Sequence, residues 1–445
     1  MVAARFPDVV ERLAADILDG TLAPGSRLPT HRELADRFGL APATASRVYR
    51  ELRRRGLTMG EVGRGTFVRG PARHNMDDLN ESGIAAPLID LSLNYPILDI
   101  QGDLMEKTLG QVALEGGWSS LLGYHSPAGR LRDRQAAGAW FASRGLHADP
   151  DEVFITAGSQ HGLAVATAAV CGPGDTVAVE SLTYPGFKIL AGLQQIHLAP
   201  VEMDGEGLLP ERLEELCRSR KLRALYLMPT VHNPLGTVMP PERRERVAAI
   251  CRKHAVHILE DEAYGFLDDR ILPSLRSLAP GLGFNIQSMG KLFAPGLRIG
   301  FMAAPRHLRD RIETVIRSTT WAASPIAAEL ASRWIEDGSA GTVLGRKRRD
   351  AAERQRLAAS LLPGDAIRSH PTSYHLWLSL PQRVRADDFV RHLHALGVVV
   401  SPAAAFTPSS VPAPPALRLA LGSPPVERLR EGLRIVAAAY ERFCR

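Results

Sequence analysis

The sequence predicts a small, mostly helical head with a short β hairpin, followed by a large α/β body built on a mostly parallel sheet. Two observations lead to this fold class. Amphipathic segments with helix-start and helix-stop residues occupy the first 56 positions, whereas from Leu88 onward short β-rich runs alternate with alanine- and leucine-rich stretches. The chain has 445 residues, 45% of them apolar and 23% charged. That length allows about two to three globular domains.

The head begins with an amphipathic helix, predicted over residues 7–18 from apolar residues at helical spacing and ended by Gly20. Thr30 and Glu33 have the spacing of a capping box, which predicts the start of a second helix. That helix stops at Gly39.

A third helix is predicted to start at Pro42, because proline is favoured at the first helical position, and to end at Gly56. Strand-like runs follow at residues 57–58 and 65–68, on either side of a basic tip at residues 60–64. The order helix, helix, turn, helix and hairpin is that of a winged helix-turn-helix.

This head resembles the GntR family of bacterial repressors at residues 22–29, 32–35 and 63–68. In that family the third helix enters the major groove of DNA and the wing lies along the minor groove or the backbone. The resemblance implies double-stranded operator DNA as a partner, with these candidate contact residues: Arg32, Thr44, Arg64, Gly65, Arg27 and Arg47. Residues 41–43 lack the arginine that many family members have there, so direct base readout is expected to be weaker or shifted along the helix.

Positive charge is concentrated in the head. The formal net charge is +6, and residues 1–73 contain thirteen arginines and no lysine against eight Asp and Glu residues, a surplus of five. Such a surface suits contacts with a phosphate backbone, although on charge alone a solvated charged surface is the alternative.

Cysteine spacing and hydropathy indicate the compartment. The four cysteines are far apart and have neither CxxC nor metal-ligand spacing, so we expect no disulfide framework and no metal site. No apolar run approaches the roughly 20 residues that span a bilayer, and the N-terminus lacks the order of a signal peptide. A cytoplasmic protein is expected.

Residues 288–300 place one lysine between a hydroxyl and an arginine at fixed spacing. Pyridoxal 5′-phosphate (PLP) needs an amine that forms a Schiff base and donors that hold its phosphate, and Lys291, Ser288 and Arg298 would supply them. The stretch resembles the lysine region of the class I and II aminotransferases, the fold-type I PLP enzymes, which implies that fold with large and small subdomains. Gly290 stands where the family often has serine.

Further turns resemble this family in the same order along the chain. Residues 156–160 lie between a predicted strand and a helix whose free N–H groups suit an anion. The resemblance implies these roles: Gly158, Ser159 and Gln160 at the phosphate, Tyr184 stacked on the pyridine ring, and Asn233 at the phenolic oxygen. Residues 94–96 also resemble the family's N-terminal strand that closes over the substrate.

Asp261 and Tyr264 come directly after another predicted strand. The resemblance places Asp261 at the ring nitrogen, where a carboxylate keeps the ring protonated and able to accept electrons, and Tyr264 at the phenolic oxygen. Together with Lys291, which would move the substrate's α-proton, they are the implied catalytic residues. Arg418 corresponds to the arginine that binds the substrate carboxylate. Tyr124 resembles the tyrosine that reaches the neighbouring subunit's cofactor, which implies a head-to-tail homodimer.

A GntR-type head joined to an aminotransferase-like body resembles the MocR family of bacterial transcription regulators. We predict a head at residues 1–70, a linker at 71–87 and a PLP-binding domain at 88–445, whose large subdomain spans about 120–325 and whose small subdomain comes from the flanking segments. The resemblance implies a PLP-dependent, DNA-binding transcriptional regulator that senses PLP or an amino compound through an aldimine at Lys291. The alternative is a catalytically active aminotransferase with an accessory DNA-binding head. The presence of Lys291 and Asp261 disfavours a body that only dimerises.

Overall fold

The computed structural model describes residues 6–23, 25–61, 65–68, 88–116 and 118–444. The predicted linker at residues 71–87 and the predicted wing residue Arg64 lie outside this part of the chain.

The head consists of three helices and one antiparallel hairpin. These elements are α1 (Phe6–Leu18), α2 (His31–Phe38), α3 (Pro42–Arg54), β1 (Thr58–Glu61) and β2 (Gly65–Val68). The predicted capping box is present, because Thr30 Oγ1 accepts the Glu33 N–H at 3.3 Å and the Glu33 carboxylate accepts the Thr30 N–H at 2.7 Å. Gly39 ends α2 with a φ of 62°, and Pro42 is the first residue of α3, as predicted.

The core of the head is a single apolar cluster between the helices and the hairpin. Leu13 of α1, Leu34 of α2 and Val48 of α3 are each at most 4% exposed, and Val68 of β2 closes the cluster. Burying this stripe on each helix turns the opposite, charged faces outward.

The body contains the remaining helices and strands. Its first half comprises β3 (Ile89–Leu91), α4 (Asp99–Glu115), α5 (Ser119–Leu122), α6 (Leu131–Ser143), β4 (Val153–Thr156), α7 (Ser159–Val170), β5 (Thr176–Glu180), α8 (Pro185–Leu193), β6 (His197–Val201), β7 (Met203–Asp204), β8 (Gly207–Leu208), α9 (Pro210–Ser219) and β9 (Ala224–Leu227). Its second half comprises α10 (Pro241–His254), β10 (His257–Asp261), α11 (Leu275–Leu278), β11 (Gly283–Ser288), α12 (Met289–Leu292), β12 (Gly300–Ala303), α13 (Arg309–Thr319), α14 (Pro325–Glu336), α15 (Ser339–Leu361), β13 (Ile367–Ser369), β14 (His375–Ser379), α16 (Ala386–Ala395), β15 (Val398–Pro402), β16 (Ala416–Ala420) and α17 (Val426–Cys444).

A seven-stranded sheet forms the centre of the body, in the order β4-β12-β11-β10-β9-β5-β6. Only β12 runs against the others, which confirms the predicted mostly parallel α/β fold. The side chains of β4, β9 and β11 are buried along the whole strand, as expected for strands covered by helices on both faces.

A second sheet has the strand order β13-β14-β16-β15-β3. In the chain, β3 precedes the strands of the large sheet and the other four strands follow them. The long helix α15 packs against both sheets. Its residues Ala340, Val343 and Ala351 belong to the large-sheet core, whereas Ala358 belongs to the small-sheet core.

Among the helices of the described residues, none is both long and apolar enough to cross a membrane.

Candidate functional site

Most of the predicted cofactor residues lie at the carboxyl ends of strands of the large sheet, where ligands of such sheets bind. Gly158 follows β4, Tyr184 follows β5 and Asn233 follows β9. Asp261 is the last residue of β10, and Lys291 lies on α12, directly after β11. Strand order thus brings together residues that are far apart in the sequence.

Asp261 is a buried carboxylate with a fixed orientation. It accepts hydrogen bonds from the Tyr226 hydroxyl at 2.8 Å and from the Ala263 N–H at 3.0 Å. Burial raises the pKa of Asp261 to about 6, and the Tyr226 hydrogen bond opposes that rise. At neutral pH the carboxylate is therefore ionised and offers a negative charge to a cationic group.

Tyr226 is a site residue that the sequence analysis missed. It lies on β9, is fully buried and stacks on Phe187 with ring centroids 3.9 Å apart. Burial and the nearby Asp261 charge raise the pKa of Tyr226 far above its usual range, so its hydroxyl remains a donor. In the sequence Tyr226 is one strand residue among several apolar ones. No pattern in the residues around it indicates a contact with Asp261, which lies 35 residues away.

Lys291 contacts Asn94 and Tyr95, which precede the large sheet in the chain. Its Nζ donates to the Asn94 carbonyl at 2.5 Å and lies 5.6 Å from the ring centroids of both Tyr95 and Tyr264. The Asn94 side chain in turn donates to the Tyr264 hydroxyl at 3.4 Å. Asn94 therefore connects two predicted catalytic residues, through its carbonyl and its amide.

The turn before α7 places the first N–H groups of that helix beside the Arg298 guanidinium, and both are groups that bind anions. The first N–H groups of a helix have no partner within that helix and carry partial positive charge. A methyl group at Gly158 would lie 2.9 Å from the Arg298 guanidinium, and one at Gly300 would lie 2.7 Å from the Ser159 nitrogen. The guanidinium donates to the Ala157 carbonyl at 3.4 Å, which keeps Arg298 beside the turn.

The other predicted phosphate and ring residues lie at the starts of α7, α8 and α12. Gln160 donates to the Gly186 carbonyl at 3.0 Å, which ties the turn to α8. Tyr184 is the N-cap residue of α8, and burial raises its pKa. Ser288 is buried at the N-cap of α12.

Arg418 is a buried guanidinium on β16 of the small sheet. It donates to the Asn233 side chain at 3.4 Å and to the Ser92 carbonyl, and it lies 5.2 Å above the Phe406 ring. Burial lowers the pKa of Arg418 from its usual value. The structure thus brings Arg418 and Asn233 into contact across the two sheets.

Several buried polar atoms of the site lack a hydrogen-bond partner among the described residues. They are Nε of Arg418, Oε1 of Gln160, Oδ1 of Asn94 and the Tyr95 hydroxyl. Unsatisfied buried polar groups are costly, so a polar ligand that reaches them would be stabilised. Together with the anion turn, the amine and the buried carboxylate, they fit a phosphate-bearing cofactor and a carboxylate ligand.

Tyr124, a predicted cofactor residue, lies on the surface of the body. It is 88% exposed, and its ring lies 5.2 Å from that of Trp321. Nearby, Glu115 at the end of α4 pairs with Arg333 of α14, and α5 packs against α14. Leu114 and Leu122, at the ends of α4 and α5, are 90% and 75% exposed. This part of the body is an exposed apolar surface.

The candidate DNA-contact residues that the structure describes lie on α3, at the hairpin and on α2. Thr44 is partly exposed in the first turn of α3, and Arg47, one turn further on, is exposed with its guanidinium 4.6 Å above the Phe6 ring. At the hairpin, a methyl group at Gly65 would lie 3.2 Å from Arg27 Nε, so Arg27 borders the start of β2. Arg32 is exposed on α2, and Arg64 lies outside the described residues.

Comparison with known proteins matches both parts of the chain. Residues 87–436 match the family described as aminotransferase class I and II, and residues 7–68 match the gntR family of bacterial regulatory proteins. The chain is 30% identical to the HTH-type transcriptional regulator YdeF of Bacillus subtilis over 426 residues, 96% of this chain and 92% of that protein. It is 29% identical to the probable rhizopine catabolism regulatory protein MocR of Rhizobium meliloti over 384 residues, which cover 79% and 76% of the two chains. The solved structure of kynurenine aminotransferase from Pyrococcus horikoshii superposes with a TM-score of 0.73 at 21% identity, over 83% of this chain and 96% of that one.

Proposed function

Because this chain belongs to the aminotransferase class I and II family and carries a gntR-type head, which together are the MocR-type architecture, we propose that it is a PLP-dependent, DNA-binding transcriptional regulator. One observation carries the proposal: a chain with a winged helix-turn-helix head also holds an amine, Lys291, beside Tyr264, a buried carboxylate, Asp261, and a buried guanidinium, Arg418, beside Asn233. The proposed domain limits remain 1–70 for the head and 88–445 for the body.

Each residue of the proposed site would bind a different part of the cofactor. Lys291 provides the amine, Asp261 the negative charge for the ring nitrogen, and Tyr264 and Asn233 the groups at the phenolic oxygen. Tyr184 covers the ring, and the phosphate is held by these residues: Gly158, Ser159, Gln160, Ser288 and Arg298. When bound, PLP supplies an electron sink for chemistry at the α-carbon of an amino compound.

Arg418 gives the site its preference for an amino compound with a carboxylate. A guanidinium binds a carboxylate with two parallel hydrogen bonds. The Nε atom of Arg418 has no hydrogen-bond partner among the described residues, so it is available to such a ligand. Asn233 holds the same guanidinium, so a bound carboxylate would meet an oriented donor. The effector acts by binding one conformation of the body more tightly than another.

A head-to-tail homodimer covers the exposed apolar surface around Tyr124. Large exposed side chains in one patch are uncommon on a monomer and mark interaction sites. Trp321 contacts Tyr124 here, and Leu122, two residues before Tyr124 in the chain, is also exposed. In the proposed dimer Tyr124 reaches the phosphate of the neighbouring subunit's cofactor, and two heads are available for the two halves of an operator.

The proposed DNA contacts combine α3 with the hairpin. Thr44 and Arg47 of α3 are the candidates for the major groove, and Arg27, Arg64 and Gly65 are those for the wing. Arg32 is a candidate for the backbone. Since phosphate contacts dominate such interfaces, operator affinity is expected to fall steeply with salt.

Absorbance and DNA binding, measured on the full chain, test this function. The purified protein is expected to show a visible band of lysine-bound cofactor that Lys291→Ala lacks, and one of a panel of amino acids and amines is expected to shift both this band and operator affinity. Lys221→Met, on the exposed surface, is the control. A shift accompanied by oxo-acid release, with operator affinity unchanged, would favour the enzyme instead. A protein without the band after PLP reconstitution would contradict the cofactor assignment.

A further inference from the structure

Lys347, on α15, is a buried cation that the cofactor roles above do not use. Its side chain is 0% exposed, and among the described residues no carboxylate forms an ion pair with it. A lysine is almost never fully buried without such a partner, because removing an ammonium group from water is costly. Its position therefore requires an explanation.

The ammonium group of Lys347 bonds two backbone carbonyls of the cofactor site. Its Nζ donates to the Pro96 carbonyl at 2.5 Å and to the carbonyl of Lys291 at 3.1 Å. Lys291 itself donates to the Asn94 carbonyl at 2.5 Å. The two lysines thus fasten residues 94–96 to the backbone of the cofactor lysine.

The same segment also touches the small sheet. The Tyr95 N–H donates to Ser423 Oγ at 2.9 Å, and Ser423 Oγ donates to the Leu93 carbonyl at 2.6 Å. Helix α15 carries Lys347 and is shared by the cores of both sheets. Lys347 is therefore the point at which the cofactor lysine, residues 94–96 and helix α15 meet.

We propose that Lys347 is a positioning residue, which couples the state of Lys291 to residues 94–96 and to helix α15. When Lys291 is free, its amine holds the Asn94 carbonyl, and when Lys291 is bound to cofactor that hydrogen bond is given up. Lys347 keeps the Pro96 carbonyl and the Lys291 backbone together in both states, so the change at Asn94 is passed to α15. This inference rests on the proposed role of Lys291.

The charge of Lys347 depends on its surroundings. Burial, with a smaller contribution from the charge of Lys291, lowers the pKa of Lys347 to about 7. Asp350, on the same helix, opposes this, but its carboxylate is bonded by Arg354 at 2.9 Å. The Tyr374 hydroxyl donates to the backbone carbonyl of Lys347 at 2.9 Å. Above about pH 7 Lys347 therefore loses its charge and donates weaker hydrogen bonds.

Hydrogen exchange on the full-length protein tests this role, with Lys347→Met compared with wild type and with Lys221→Met. Without PLP, the amides of residues 92–98 are expected to exchange severalfold faster in Lys347→Met only. With PLP, exchange in the middle of α15 changes in wild type, whereas Lys347→Met still shows the absorbance band and no change in α15. Equal exchange of residues 92–98 in wild type and Lys347→Met would overturn the proposal.

If Lys347→Met does not fold, the pH dependence of exchange in the wild-type protein tests the proposal instead. In wild-type protein without PLP, protection of residues 92–98, corrected for the intrinsic pH dependence of exchange, is expected to fall as pH rises through about 7, while that of β9 stays constant. Constant protection of residues 92–98 across this range would overturn the proposal. Neither readout without PLP needs the cofactor, and loss of the Lys291-dependent band would instead show that the proposed function itself is wrong.

Discussion

At the residue scale, the site combines charged groups whose pKa values are shifted by burial. Asp261 keeps a carboxylate inside the sheet because Tyr226 and the Ala263 N–H donate to it. Arg418 keeps a guanidinium beside Asn233. Hydrogen bonds to charged groups contribute about 1.5–3 kcal/mol each, so the loss of either charge is expected to weaken binding measurably.

We expect Asp261→Asn to lower PLP affinity about 10- to 100-fold, because the ring nitrogen loses its charged partner. In wild type the affinity is expected to be full above about pH 6 and to fall as pH drops through that value, since protonation removes the Asp261 charge. Equilibrium dialysis between pH 5 and 8 measures both effects, with Asp365→Asn, on the exposed surface, as the control. Parallel pH profiles for wild type and Asp261→Asn would contradict the assignment.

Gly300→Ala is expected to distort the anion turn. Its added methyl group would lie 2.7 Å from the Ser159 nitrogen and the Gly158 carbonyl carbon, which are backbone atoms and must shift. Overpacking of this kind costs about 1–3 kcal/mol of unfolding free energy. Affinity for PLP should fall more than affinity for pyridoxal, which has no phosphate.

Gly296→Ala is the matched control for this change, because no atom lies within 4 Å of its added methyl group. Denaturant unfolding and competitive dialysis of the two ligands give the readouts. An equal loss of affinity for PLP and pyridoxal in Gly300→Ala would show that the turn does not bind the phosphate.

At the element scale, each part of the site depends on how a helix or strand ends. Helix α7 starts at the anion turn, α8 starts at Tyr184, and β10 ends at Asp261. In the head, the capping box fixes the start of α2, and α2 packs against α3. Local changes at these ends should therefore have local effects.

Thr30→Ala is expected to destabilise α2 by about 1 kcal/mol, because the Glu33 N–H loses its acceptor. That loss corresponds to about fivefold faster amide exchange in α2, with the body unaffected. Thr30→Ser keeps the hydroxyl and should behave almost as wild type. Equal exchange rates for the Ala and Ser variants would show that the cap does not limit opening of the helix.

At the scale of the whole molecule, the proposed site depends on two features, which are the exposed surface around Tyr124 and the approach of the small sheet to the large one. Lys291, the proposed cofactor lysine, lies on α12 directly after β11 of the large sheet, and Arg418 lies on β16 of the small sheet, so a movement of one sheet relative to the other would change the proposed site. The surface around Tyr124 lies outside its own chain's site.

Mixed dimers test the proposed placement of Tyr124. We expect Tyr124→Ala and Lys291→Ala homodimers each to bind PLP poorly, the first about 10- to 100-fold more weakly than wild type. A mixed dimer of the two variants should regain one site of wild-type affinity, since one chain supplies Lys291 and the other Tyr124. Absorbance titration of differently tagged, co-purified chains measures this recovery, and its absence would contradict the exchanged tyrosine.

The sequence by itself determined the local features of this protein. The capping box at Thr30 and Glu33, the start of α3 at Pro42 and the alternation of strands and helices depend on short-range hydrogen bonding, fixed backbone angles and periodicity. The order of motifs along the chain was sufficient to identify both families. The roles of individual site residues remain predictions, although the structure brings most of them to one edge of the large sheet.

Only the tertiary structure decided which distant residues meet. Tyr226 contacts Asp261 from 35 residues away, Asn94 contacts Lys291 from 197 residues away, and Lys347 bonds the Lys291 backbone from 56 residues away. In the sequence Tyr226 is one of several strand residues and Lys347 one of several charged helix residues. Their partners follow from strand order and from the packing of α15 against α12, which no pattern within a single segment encodes.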